Sequence, residues 1–281
     1  MPNATSQNGT VEDPAAPGVG RTRTVRFRVK RCDGPGKPSR WESFDVRVAQ
    51  GEGANILACL QRIAANPVTA EGAKTTPVVW DAGCLEEVCG ACTMVVNGRA
   101  RQACSALIDT LAPNDGDEIT LEPMSKFPVV RDLHVDRSRM FHTLKRLKAW
   151  APIDGLYALG PGPREQPARQ QERYAYSTCM TCGCCLEACP QFRLEPQPGR
   201  WDTAFVGANA IGQTLLFNEH AIAGELAPDR LDEMLAPGGV SDCGNAQNCV
   251  KVCPKEIPLT DAIAAIGRAA TIHGLKRFFA R

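Results

Sequence analysis

The sequence predicts an α+β protein in two parts: a small mixed sheet crossed by one helix, then a helical half, both carrying spaced cysteines. Three observations predict it. Apolar residues alternate along short runs between Thr24 and Glu122, the period of a half-buried strand. Beyond about residue 135 they recur at helical spacing instead. Most of the 14 cysteines in this chain of 281 residues fall into three spaced groups.

The elements follow in order. Residues 1–22 read as a disordered tail, and residues 23–135 and 136–281 as two domains. Thr24 to Arg31 sets Val25, Phe27 and Val29 against Arg26, Arg28 and Lys30, and Trp41 to Val48 repeats the pattern after Asp33-Gly34-Pro35-Gly36. Two such runs around a Gly/Pro turn make a hairpin. Ile56, Leu57, Leu60 and Ile63 share a helix face between Asn55 and Ala65, and Pro67 stops the helix. Pro77 to Trp80 reads as a short strand. Thr93 to Val96 and Arg99 to Ala103 flank an Asn97-Gly98 turn, a second hairpin, and Ile119 to Glu122 closes the sheet. In the second half, Met140 to Trp150, Ala204 to Phe217 and Asp229 to Leu235 read as helices, with Pro152, Pro161, Pro163 and Pro167 marking a linker. A last helix follows Pro258, with Thr260 as its N-cap.

Charge and cysteine content narrow the function. A net charge of +1 argues against nucleic-acid coating, and no run approaches a membrane span. Met1 to Gly20 has no apolar run, so no secretory signal is expected. The expected compartment is therefore reducing, where cysteines bind metal rather than pair.

Cys84, Cys89 and Cys92 are spaced C-x4-C-x2-C, with Cys104 further on. That is the plant-type spacing of a 2Fe–2S cluster. Four thiolates must converge on a small anionic core, so the loop has to curl, and Gly83 and Gly90 let its backbone approach. A four-Cys zinc site usually comes as two short pairs instead.

Cys179, Cys182, Cys185 and Cys189-Pro190 form C-x2-C-x2-C-x3-C-P, the bacterial two-cluster run, in which the fourth cysteine serves the other cluster. Cys243, Cys249 and Cys253-Pro254 fit a second copy whose second position is Ala246. The pattern predicts a 4Fe–4S cluster on Cys179, Cys182, Cys185 and Cys253. Cys189, Cys243 and Cys249 then supply three thiolates, and a cubane corner with no thiolate loses its iron, leaving 3Fe–4S. Cys32, Cys59 and Cys184 are left over. Cys59 belongs to the helix's apolar stripe, Cys32 ends a strand, and spacing favours Cys185 over Cys184 as ligand.

A plant-type 2Fe–2S domain ahead of a helical domain with 4Fe–4S and 3Fe–4S clusters resembles the iron–sulfur subunits of succinate dehydrogenase and fumarate reductase. Cys84-Leu-Glu-Glu-Val-Cys89-Gly-Ala-Cys92 and Cys243-Gly-Asn-Ala-Gln-Asn-Cys249 resemble the menaquinone-linked bacterial branch. The resemblance implies a β-grasp ferredoxin domain followed by an α-helical ferredoxin domain. It implies a flavoprotein partner with FAD that holds the succinate site, and a membrane-anchor cytochrome b with haem b and menaquinone. It also implies a place on the cytoplasmic side of the inner membrane. Many ubiquinone-reducing relatives carry a His and a Trp where this chain has Gly244 and Leu194. Pro190, Gln191 and Trp201 are the nearest substitutes as quinone residues, although ordinary packing is the more frequent role of a lone Trp.

The resemblance thus implies an electron-transfer subunit of a membrane-bound succinate:quinone oxidoreductase, running toward succinate oxidation or fumarate reduction. The alternatives are a free-standing polyferredoxin and a zinc-structured module. Soluble carriers are usually small and acidic, and zinc proteins are colourless. His134, His142, His220 and His273 form no catalytic constellation in the sequence. Lys276, Arg277 and Arg281 around Phe278 and Phe279 read either as a lipid or anchor contact or as a helix end facing its own dipole.

Overall fold

The computed structural model describes residues 20–152, 164–195 and 197–280. Strands β1 (Thr22–Cys32) and β2 (Ser39–Ala49) form the first hairpin, in register from Thr22 opposite Ala49 to Cys32 opposite Ser39. Helix α1 (Ile56–Ala65) follows, then β3 (Thr93–Val96), β4 (Arg99–Gln102), the short α2 (Ile108–Leu111) and β5 (Glu118–Glu122). The five strands make one mixed sheet in the order β2-β1-β5-β3-β4, with β5 parallel to β1. Alternation decides its faces: Val25, Phe27 and Val29 are fully buried with Phe44, Ile119 and Leu121 against Ile56, Leu57, Leu60 and Ile63 of α1. Asn55 caps α1, its side chain accepting the Ala58 N–H.

Four expectations are corrected. Residues 77–80 are not a strand. Pro77 has no N–H to give, and Val79 bonds to the Asp132 side chain (2.9 Å) and to the Leu133 N–H rather than to a ladder. Asp132 is tied to Arg31, both fully buried, by contacts of 2.9 and 3.1 Å. Pro167 does not belong to a linker: it opens a helix, Pro167–Ser177, because a first-turn proline loses no helical hydrogen bond. The helix expected to Trp150 spans Ser138–Arg146, and Lys148 beyond it takes a left-handed φ of 48°. The last helix, Leu259–Phe279, is capped by Pro258, so Thr260 lies within its first turn. Pro161 and Pro163 lie outside the described residues.

Two short strands, β6 (Val129–Arg131) and β7 (His134–Val135), lead into the helical half. There we label α3 Ser138–Arg146, α4 Pro167–Ser177, α5 Cys184–Glu187, α6 Ala208–Glu219, α7 Ala227–Leu235, α8 Asn248–Val252 and α9 Leu259–Phe279. Its core joins Ile211 and Leu215 of α6, Met234 of α7 and Leu259, Ala262, Ile266 and Ala270 of α9. Met124, Phe127 and Val135 pack into this second core, so the chain ahead of α3 already belongs to it.

Candidate iron–sulfur cluster sites

The structure brings the cysteines together in three places. At the first, Leu85 and Glu87 take left-handed φ of 62° and 56°, and Gly90 takes 69°, so the loop curls on itself. The curl turns N–H groups inward. Cys84 Sγ accepts from the backbone of Glu86, Val88 and Cys89 at 3.2–3.4 Å, which lowers its thiol to about 7. Cys89 Sγ accepts from Cys84 and Ala91, both at 3.4 Å. A Cβ on Gly83 would sit 3.1 Å from that sulfur. Cys92 and Cys104 pair behind them, buried, and burial pushes Cys92 up to about 12. Asn55 Nδ2 holds the Cys104 carbonyl at 2.8 Å, fixing the fourth cysteine to the start of α1. A thiol raised by burial is poorly ionised alone, but a coordinated metal deprotonates it outright.

At the second place, Cys179, Cys182, Cys184, Cys185 and Cys253 line one small pocket. Thr181 and Gly183 turn the run with φ of 51° and 89°. Cys185 lies among Cys182, Cys179 and Cys253, and burial pushes its thiol up strongly. At the third place, Cys189, Cys243 and Cys249 line a second small pocket with Ala246 beside them. Asn245 and Gln247, at φ 51° and 58°, bracket Ala246. Asn248 Nδ2 ties this loop to the Ala188 carbonyl at 3.1 Å. The donor sets suit iron–sulfur clusters: several thiols converge at each place, and backbone N–H groups aim at the sulfurs of the first loop.

The three places adjoin in series. Gly90 presses on the second run, where a Cβ would lie 2.7 Å from Cys182 Cα. Cys185 in turn has Cys249 of the third place near it. Arg137 and Thr93 both donate to the Gly90 carbonyl, at 2.6 and 2.8 Å. Glu187 accepts from Ser125 N, Ser125 Oγ and Lys126 N, and Arg99 donates to the Lys251 carbonyl. None of these cross-links has a local sequence signature.

The remaining candidates divide. Pro190 and Gln191 line the third cavity, and a Cβ on Gly244 would meet Gln191 Nε2 at 2.4 Å, so the glycine makes room for that amide. Trp201 does not line it; its ring stacks edge-on to His142 and its Nε1 donates to the Glu195 carbonyl. Cys59 is fully buried and pushed up to about 12 by burial, and Cys32 Sγ donates to the Gly34 carbonyl. His142 and His273 pair with Asp202 and Asp232, and His220 accepts two backbone N–H groups. Arg277 also pairs with Asp232, while Phe278 and Phe279 are exposed. No helix among the described residues is long and apolar enough to cross a membrane.

A family described as 2Fe-2S iron-sulfur cluster binding domain matches residues 26–142, and one described as 4Fe-4S dicluster domain matches residues 175–257. The chain is 48% identical over 257 residues to the succinate dehydrogenase iron-sulfur subunit of Bacillus subtilis, covering 92% of this chain and 96% of that one. It is 31% identical to the fumarate reductase iron-sulfur subunit of Mycobacterium tuberculosis, over 69% and 74% of the two chains. The fold is similar to that of a chain in the Mycobacterium smegmatis Sdh1 complex in the apo form, with TM-score 0.68 and 23% identity over 89% of this chain and 96% of that one.

Proposed function

The chain belongs to the iron–sulfur subunits of succinate dehydrogenase and fumarate reductase, electron-transfer subunits with 2Fe–2S and 4Fe–4S domains, and from that premise we propose which cysteines hold which cluster and which way each end faces. Cys84, Cys89, Cys92 and Cys104 hold the 2Fe–2S cluster. Cys179, Cys182, Cys185 and Cys253 hold the 4Fe–4S cluster, and Cys189, Cys243 and Cys249 a 3Fe–4S cluster. Bound there, the clusters carry electrons one at a time. The observation that supports this reading is the serial contact of the three places, with Ala246 among the three cysteines that line the third.

Leu85 and Val88 cap the first loop and are 52% and 60% exposed, an apolar face suited to a flavoprotein partner carrying FAD. The third cavity then faces the membrane-anchor cytochrome b subunit, with its haem b and menaquinone, and Pro190 and Gln191 stand on that side. Trp201 has a packing role. The subunit lies peripherally on the cytoplasmic side of the inner membrane, and the higher identity to a succinate dehydrogenase subunit (48%) than to a fumarate reductase subunit (31%) favours succinate oxidation over fumarate reduction.

Non-haem iron analysis of the purified complex is expected to find about nine irons per copy of this chain, two, four and three from its clusters. Cys185→Ser should lose or convert the 4Fe–4S EPR signal and leave the 2Fe–2S signal intact. Zinc in place of iron, or about four irons on the same count, would overturn the reading.

A further inference from the structure

The Gly90–Ala91 peptide lies between two proposed ligands, Cys89 and Cys92, and both of its polar groups are engaged. Its N–H, on Ala91, donates to Cys89 Sγ at 3.4 Å. Its carbonyl, on Gly90, accepts from Arg137 Nη1 at 2.6 Å and from Thr93 Oγ1 at 2.8 Å. The peptide is trans, so the carbonyl and the N–H point in opposite directions, one toward the two donors and the other toward the sulfur. Thr93 Oγ1 itself accepts from Gln102 Nε2 at 3.0 Å, which leaves the hydroxyl hydrogen for Gly90. Arg137 comes from the other half of the chain. It stands immediately before α3, 47 residues beyond Gly90, and its side chain is only 15% exposed. Its ion pair with Asp81 is looser, at 3.6 Å. The shorter bond of this guanidinium is therefore to a neutral peptide, although carboxylates are its strongest partners.

We propose that Arg137 is a positioning residue for the 2Fe–2S cluster, acting through the Gly90–Ala91 peptide to raise the cluster's reduction potential. Hydrogen bonds in a chain polarise one another, so charge-assisted donation to the carbonyl strengthens donation from the N–H of the same peptide. The strengthened bond ends on Cys89 Sγ. A hydrogen bond donated to a ligand sulfur stabilises the more negative, reduced cluster more than the oxidised one. Arg137 and Thr93 also keep the peptide from turning, since Gly90, at φ 69°, has no side chain to resist rotation. The helical half thereby adjusts the cluster that the sheet half carries. The inference rests on the reading that Cys89 is a 2Fe–2S ligand.

Redox titration followed by EPR, on membranes carrying the whole complex, tests the proposal and that reading separately. Arg137→Met keeps an apolar stem but removes the charge and the donors. Its 2Fe–2S signal is expected to remain, with a midpoint low enough to make reduction about tenfold less favourable, about 59 mV for a one-electron couple. Arg137→Lys keeps a cation with N–H donors and should recover most of that fall. Thr93→Val removes an uncharged donor to the same carbonyl and should lower the midpoint by less, whereas Thr93→Ser keeps the hydroxyl and should match the parent. The 3Fe–4S midpoint is expected to stay constant throughout. An unchanged 2Fe–2S midpoint in Arg137→Met overturns the proposal. So does an equal fall in Arg137→Met and Arg137→Lys, because packing would then be the cause. A fall in Arg137→Met with none in Thr93→Val overturns it too, because the charge would then act through space and not through the peptide. Cys89→Ser is expected to lose or alter the 2Fe–2S signal, and an unaltered signal overturns instead the ligand reading beneath the proposal.

Discussion

Ala246→Cys is expected to convert the 3Fe–4S cluster to 4Fe–4S and to slow quinone reduction at least tenfold. Ala246 lines the cavity of Cys189, Cys243 and Cys249, and the left-handed turns at Asn245 and Gln247 already shape the loop around it. On the proposed assignment, a sulfur at this position is what the fourth corner lacks. A cysteine there lets a fourth iron stay, and the positive charge of that iron offsets the added thiolate, so what changes is the cluster type. Its potential falls, since cluster type is one of the levers on cluster potential and half of the irons of the oxidised four-iron cluster are already ferrous when the electron arrives. Each drop of about 59 mV in a one-electron couple makes this acceptor about tenfold harder to reduce. Activity with an artificial dye that takes electrons ahead of this site should change little. EPR of the oxidised membranes checks the conversion, because the three-iron signal should disappear. If that signal persists unchanged, residue 246 does not face the open corner.

Gly90→Ala should disconnect the first loop from the second. At φ 69° a Cβ is strained, and here it would also lie 2.7 Å from Cys182 Cα and 2.9 Å from Met180 O, both backbone atoms that cannot rotate away. The left-handed conformation alone costs about 1–2 kcal/mol for an L-residue. The overlap adds to that and is relieved only by moving the two loops apart. The expected result is that succinate reduces the 2Fe–2S cluster normally while the 4Fe–4S and 3Fe–4S signals appear at least ten times more slowly. Gly98→Ala is the control. It has a similar φ of 75° but nothing within 4 Å of the added carbon, so it carries the strain without the collision. Equal behaviour of the two variants in rapid-freeze EPR would show that strain, not separation, is responsible.

Local patterns were legible wherever one short segment carries its own constraint. The alternation of Val25, Phe27 and Val29 against charged residues put a strand there because a sheet with one buried face admits no other register. The helix of Ile56, Leu57, Leu60 and Ile63 was legible for the same reason at its own period, down to the Asn55 cap. Short pieces were not. Val129–Arg131, His134–Val135 and Ile108–Leu111 are too brief to show a period. Pro77 to Trp80 has the composition of a strand but gives its polar groups to Asp132 and Leu133.

The sequence by itself determined the cysteine groups and the absence of a thiol at position 246, since ligand spacing within a loop is a local property. It also determined that one half is a sheet and the other helical, because hydrophobic period follows from backbone geometry. Only the tertiary structure decided how the halves meet. The glycine that lets one loop touch Cys182, the Arg137 and Thr93 hydrogen bonds to its carbonyl, and the Gln102 amide at Cys184 join residues far apart in the chain. It also placed Trp201 against His142 and Gln191 at the third cavity. Such choices depend on which surfaces pack together once the two cores have formed. A buried polar group then takes whatever partner lies in reach, and no periodicity in the chain encodes that partner.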